Sequence, residues 1–418
     1  MTKLRTHILF NIASAVLLAL TLFSPQLARG QQFNVIYTFT GGADGANPIA
    51  GVTSAHPGVL YGTASAGGTY GVGAVFTLSN RGSGWTLNPL HEFFSTPNDG
   101  FSPYAGVVIG PNGALYGTTY WGGLYNFGTV FELQPPAHAC LTAVCYWSES
   151  ILRSFQGNSG DGFHPGYGNL IFDQAGNIYG TTTMGGSGYW GTVFELSPSG
   201  GGWTENILHN FGSGNDGQSP NGGVIFDPAG NLYGATGGGG SDYLGTVFEL
   251  SPAGGGTWTE DILYNFTYTG GGRNPVGTLV RDASGNLYGT ASCCVGGEIF
   301  QLSYFSGEWV LSEIYSFTAC GPIAGVTMDS AGNLYGVCSA GGADSHGFVF
   351  ELINSSGNWT MTDLYDFTGG SDGASPEGSV VFDSSGNLYG TAYSGGDLSL
   401  CGSGCGTVWE ITGLKRRR

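Results

Sequence analysis

Seven copies of one pattern run through the chain, each carrying Leu/Ile-Tyr-Gly and then a Val-Phe-Glu-Leu-like run. The tyrosines of the pattern are Tyr61, Tyr116, Tyr179, Tyr233, Tyr288, Tyr335 and Tyr389, spaced 47 to 63 residues apart. A period near ~40–50 residues, built of short strands and turns, is the mark of propeller blades, each blade one four-stranded sheet. The fourth copy spells this out. Gly223–Asp227 reads as a first strand, and Asp227-Pro228-Ala229-Gly230 as a tight turn in which Pro presets φ and Gly accepts a positive φ. Leu232–Thr236, Thr246–Leu250 and Trp258–Phe266 read as strands two, three and four.

The fourth strand carries Trp with Phe eight residues on: Trp85/Phe93, Trp147/Phe155, Trp203/Phe211, Trp258/Phe266, Trp309/Phe317 and Trp359/Phe367. Six such pairs serve seven copies. The last copy stops at Trp409-Glu410-Ile411, while Phe33–Phe39 stands near the N-terminus as an orphan fourth strand. Lending that strand to the last blade closes the ring and removes two edges that an open array would expose to aggregation. The expected fold is therefore all-β: a seven-bladed β-propeller with four-stranded blades, closed by the N-terminal strand pairing with the last blade.

One toroidal domain over residues 31–412 accommodates the length, because each blade buries its faces on its neighbours. The 79 glycines fall at fixed places between aromatic and β-branched runs, so they read as turns and close backbone approaches rather than disorder. Residues 1–30 have the form of a secretory signal peptide: Lys3 and Arg5, an apolar run from Ile8 to Phe23, then Ala28 and Gly30 before a cut at Gln31. Its apolar run is short and interrupted for a membrane anchor, so the exported chain is expected not to span a membrane. Residues 413–418 form a basic tail. Between signal and tail only Arg81, Arg153, Arg273 and Arg281 face 29 acidic residues. That balance excludes nucleic acid as a partner, since phosphate binding needs clustered Lys and Arg. A monomer released outside the cell, or held at its surface, is the expected state.

Eight cysteines in an exported chain point to disulfides. Cys140 with Cys145, and Cys401 with Cys405, flank insertions short enough for local bridges. Cys293, Cys294, Cys320 and Cys338 fall near one face at the junction of copies five and six, where bridges would staple adjacent blades. Four thiols also suit a tetrahedral zinc site, but export and the lack of a C-x₂-C pair favour disulfides. No metal site is assigned from the sequence.

In a four-stranded meander the loops after strands two and four emerge on the same face. The loop after strand four repeats Asp-Gly-x-x-Pro, at Asp44, Asp99, Asp161, Asp216 and Asp372. A broken circle of carboxylates can hold a cation such as calcium or bond sugar hydroxyls; the plainer reading is that Asp-Gly makes the turn. The loop after strand two carries aromatics, Tyr70, Trp121, Tyr189, Trp190 and Tyr243 among them. Flat rings beside polar groups suit carbohydrate stacking, although rings at repeated positions also serve to pack loops. On the opposite face Asp-x-x-Gly-Asn recurs at Asp173, Asp227, Asp282, Asp329 and Asp383. It reads as a hairpin turn, since calcium loops need more ligands within a few residues. The Glu of Phe-Glu-Leu is expected to bond from blade to blade. Arg281, standing where sister copies have Phe, is expected in the axial channel or beside an Asp.

The text Gly-Asn-Leu-Tyr-Gly-Thr followed by Gly-Thr-Val-Phe-Glu-Leu, clearest at Asn177–Thr181 with Gly191–Leu196, resembles the GloVer (Gloeo/Verruco) tandem repeat. The resemblance covers about residues 33–412 and implies an exported bacterial β-repeat protein, without catalytic residues to carry over. Members often bear C-terminal anchors; the end at Arg418 without one leads to an expectation of release. No nucleophile elbow, His-Glu-x-x-His, phosphate loop or dinucleotide fingerprint is present, so no cofactor is expected. The sequence favours a non-enzymatic binding or interaction module, with glycan or protein as ligand. A structural extracellular protein and a carbohydrate-active hydrolase or lyase are the alternatives.

Overall fold

The computed structural model describes residues 30–414, apart from 97, 139–144, 159, 269–271 and 294–295. No helix occurs among the described residues, and none is long and apolar enough to cross a membrane. Seven antiparallel sheets of four strands form the blades. Blade 4 is representative: Ile225–Phe226, Leu232–Thr236, Thr246–Gly254 and Thr257–Asn265 pair in sequence order. The innermost strand is shorter than the predicted Gly223–Asp227, and the glycines explain why. A Cβ on Gly222 would lie 2.1 Å from the carbonyl oxygen of Gly277, and one on Gly168 would lie 1.9 Å from the amide nitrogen of Gly223. Inner strands of neighbouring blades meet backbone to backbone there, which only glycine allows.

Ring closure is direct. Gln32–Thr38 pairs antiparallel with Thr407–Thr412 as the outer strand of blade 7. Seven hydrophobic cores sit between adjacent blades, and the one joining Tyr389 and Val408 to Leu60 and Phe76 bridges blade 7 to blade 1. Phe39 lies fully buried in it. Thr391 Oγ1 donates to the carbonyl of Ala50 across the same seam, as Thr181 Oγ1 does to Gly222 between blades 3 and 4.

On the hairpin face the Asp-x-x-Gly-Asn turn is structural throughout. Asp173 Oδ1 accepts from the amides of Ala175 and Asn177 while Oδ2 accepts from Asn177 Nδ2 and Tyr179 Oη, and its glycine, Gly176, has φ 86°. The Glu of Phe-Glu-Leu bonds within its own blade, not between blades: Tyr179 Oη donates to Glu195 at 2.9 Å and Tyr389 Oη to Glu410 at 2.7 Å. The two residues are paired in register on strands two and three, so the strand pleat sets them side by side on one face. Burial and these carboxylates hold the tyrosines protonated well above the usual phenol range.

Cys401 and Cys405 form the local bridge, and Cys320 bonds Cys338, tying the loop that leaves blade 5 to the second strand of blade 6. Cys145 is disulfide-bonded. Cys140, Cys294 and the side chain of Cys293 lie outside the described residues, as do residues 1–29 and 415–418, where the signal peptide and most of the basic tail were read. Arg281 ends the inner strand of blade 5 and is half-buried; it is not among the residues lining the axial cavity.

Candidate functional site

The loops after strands four and two do share a face, since Gly100–Phe101 pairs with Trp121–Gly122 and Gly217–Gln218 with Gly238–Gly239. At its centre the inner strands enclose an axial cavity of about 640 Å³. Each blade supplies one side chain to the rim, from the first inner-strand position behind the loop proline: Ile49, Tyr104, Tyr167, Asn221, Val276, Ile323 and Glu377. Tyr167 is 51% and Ile323 38% exposed, so this end of the cavity is open to solvent. Tyr104 and Tyr167 stack with centroids 5.4 Å apart and planes within 5°. Glu377 is the single carboxylate of the described lining, and burial raises its pKa. Sequence reasoning missed this rim. The signal was one column, the residue after each loop proline (two after it in copy three), and it varies too much to look like a motif.

The aspartates of Asp-Gly-x-x-Pro turn away from the axis into their own loops. Asp44 accepts from the Thr40 amide at 2.7 Å, Thr40 Oγ1 at 2.6 Å and Tyr37 Oη at 3.0 Å. Asp372 repeats this with Thr368 and Tyr365. Hydrogen bonds from Thr368 and Tyr365 outweigh burial and keep Asp372 below the ordinary carboxylate range. Asp99, Asp161 and Asp216 likewise accept a backbone amide, from Phe94, Gln156 and Gly212. Where copy five lacks the aspartate, Glu298 replaces the threonine of sister copies and accepts the amide of Gly272.

Glu298 is buried, with Oε1 otherwise unpartnered, and burial followed by repulsion from Glu313 pushes its pKa up to about 7. Between pH 4.5 and 7 the native state keeps this proton and the unfolded chain loses it, so stability falls as pH rises through that window. Glu298→Gln removes the slope. Denaturant midpoints should show the variant about 2–3 kcal/mol more stable than wild type at pH 8 and equal at pH 4. An identical difference at both pH values would refute the assignment.

The aromatics of the other loop are spread around the rim rather than gathered at the axis. Tyr189, Tyr243 and Trp190 are 68%, 66% and 44% exposed. Tyr189 and Tyr243 have φ of 66° and 60°, as do Asn126 and Ser345 at the same repeat position with 63° and 62°; the left-handed conformation therefore belongs to the turn. Tyr70 is exposed and packs on Phe94 at 4.3 Å. Trp121 is half-buried against His164, which also stacks on Tyr120 at 4.3 Å. Burial lowers the pKa of His164 to about 4, so it is neutral.

Three further clusters sit between blades beneath this face, each joining a basic side chain, the loop aspartate and a glutamate of the next blade. Arg153 Nη2 lies 2.9 Å from Asp161 and 2.6 Å from Glu205. At the same place His91 Nε2 lies 3.4 Å from Asp99 and 3.6 Å from Glu149, and His209 Nε2 lies 3.3 Å from Asp216 and 3.5 Å from Glu260. Burial, then repulsion from the paired aspartate, holds Glu149 and Glu205 well above the ordinary carboxylate range. In the remaining junctions Tyr replaces the base and an apolar residue replaces the glutamate, as Phe33 stacks on Tyr365 with centroids 3.5 Å apart. The three glutamates were not singled out from sequence. The signal was a paired change in two columns, base with glutamate and Tyr with Leu, Met or Phe, offset by one copy.

The fold is shared widely. The chain is similar to virginiamycin B lyase from Staphylococcus aureus, at 14% identity over 91% of this chain and 98% of that one, with a TM-score of 0.54. It is also similar to a polysaccharide lyase of family PL25, an ulvan lyase, at 10% identity over 79% and 86% of the two chains, with a TM-score of 0.51. At such identities the likeness establishes the propeller alone. No curated protein matches the sequence. The Gloeobacter/Verrucomicrobia repeat model matches residues 21–148 and 141–319, more than half of the chain, and the protein belongs to that repeat family.

Proposed function

We propose that the protein is a secreted, non-catalytic binding module that takes a glycan at the mouth of its axial cavity. The observation that carries this reading is the rim itself. A cavity of about 640 Å³ has the size of a small-molecule site, and it combines apolar walls with a few polar groups, as such sites do. Tyr104 and Tyr167 offer flat apolar faces, while Asn221 and Glu377 supply hydroxyl partners. The exposed Tyr189, Trp190 and Tyr243 extend the same chemistry outward over the loop face. Glycoside hydrolysis by two carboxylates needs a facing pair, and the described cavity lining holds Glu377 alone.

The test is a glycan array probed with residues 31–418. Tyr167→Ala should weaken any binding at least ten-fold, with Trp190→Ala weakening long-chain ligands more than short ones. Both side chains are half or more exposed or nearly so, so melting temperature should move by no more than about 2 °C. A blank array would sink the glycan reading. Product release from polysaccharides, lost in Glu377→Gln, would replace it with the enzyme reading.

A further inference from the structure

We propose that the blade 1–2 junction binds a divalent transition metal of the zinc class through His91 Nε2, Asp99 and Glu149, and that the blade 3–4 junction does so through His209, Asp216 and Glu260. Each trio brings one imidazole nitrogen and two carboxylates within 4.8 Å of one another. The nitrogen-to-oxygen separations are 3.3–3.6 Å, long for hydrogen bonds, although His209 Nε2 does bond Asp216 Oδ1 at 3.3 Å. They match the edge of about 3.3 Å that tetrahedral zinc with bonds of about 2.0–2.1 Å sets between its ligands.

The second observation is unsatisfied polarity, complete at the blade 1–2 junction and confined to Glu260 Oε1 at the blade 3–4 junction. His91 is 9% and Asp99 4% exposed, and His91 Nε2, Asp99 Oδ1 and Glu149 Oε1 all lack a hydrogen-bond partner. Buried polar atoms rarely go unpaired, and His91 Nε2, which lies 3.4 Å from Asp99 Oδ2 and 3.6 Å from Glu149 Oε2 without a hydrogen bond to either, leaves room for a ligand among the three. Asp99 and Asp216 are held in place by the Phe94 and Gly212 amides, the kind of outer support that orients metal ligands.

The repeat contains its own control. The junction between these two carries Arg153, whose guanidinium reaches both carboxylates directly. An imidazole is shorter and leaves a gap in the same acidic setting. Where the glutamate is absent, so is the base. The same acidic setting thus carries a built-in cation at one junction and, on this proposal, admits one at the junctions on either side. Mixed nitrogen and oxygen donors favour zinc over calcium, which prefers all-oxygen shells.

Chelator-treated protein, residues 31–418, titrated with zinc chloride and followed by calorimetry and elemental analysis, should take up two equivalents, with calcium at least 100-fold weaker. His91→Arg copies the Arg153 junction, so it should fold normally and bind one equivalent; adding His209→Arg should leave none. Arg153→His should create a third site. If His91→Arg fails to fold, Glu149→Gln should still cut zinc affinity at the first site at least 100-fold. Cobalt in place of zinc should give visible d–d bands lost in the same variants. No zinc uptake, uptake unchanged in the double arginine variant, or preference for calcium would each overturn the proposal, leaving the histidines paired with the acids alone.

Discussion

A chain lacking residues 31–39 will not form a stable ring. The deleted strand pairs with Thr407–Thr412 along its length, and its aromatic side chains anchor two junction cores. Phe39 is fully buried and meets Phe76 edge-on at 5.2 Å, while Phe33 stacks on Tyr365 and lies 5.9 Å from Trp409. Removing one buried Phe side chain costs about 3–5 kcal/mol. Losing Phe39 together with the partly buried Phe33 and the ladder between them approaches the ~5–15 kcal/mol that holds a whole domain together. The truncated protein should lose its cooperative thermal transition or melt far lower, and should aggregate through the freed edge of the last blade. A synthetic peptide of residues 31–40 added in trans should restore the transition, because the blade it completes is otherwise intact. An unchanged denaturation midpoint would show that the ring does not depend on this closure.

Arg153→Ala should cost about 3–5 kcal/mol, since it strands Asp161 and Glu205 between blades without their cation. The repeat supplies the repair. In the two Tyr junctions that keep the loop aspartate, the phenol donates to it, Tyr37 to Asp44 and Tyr365 to Asp372, and an apolar residue packs where the glutamate would be. Arg153→Tyr combined with Glu205→Leu converts one junction chemistry into the other and should come within about 1 kcal/mol of wild type. Urea denaturation of the three proteins decides this. A double variant as unstable as Arg153→Ala would mean that the two columns do not act as a unit.

The blade, its turns and the closing strand were legible in the sequence because each rests on contacts within one copy, or on counting copies. The Asp-x-x-Gly-Asn turn is complete within seven residues, from Asp173 to Tyr179. The orphan strand at Phe33–Phe39 declared itself because one fourth strand was missing from the other end. Within a copy, the strand pairing also sets Tyr179 beside Glu195, although the sequence alone suggested that this glutamate bonded across blades.

Tertiary structure alone decided what meets what between copies. His91 faces Glu149, which follows it by 58 residues, because adjacent sheets pack face to face. Nothing within a single copy specifies which of its columns will look across that interface. The rim of the axial cavity is of the same kind: Tyr104, Tyr167 and Glu377 come from three different blades and share only a distance from the axis. Local hydrogen bonds and strand periodicity determine a blade. The circular packing of seven blades, a property of the closed ring, determines the sites.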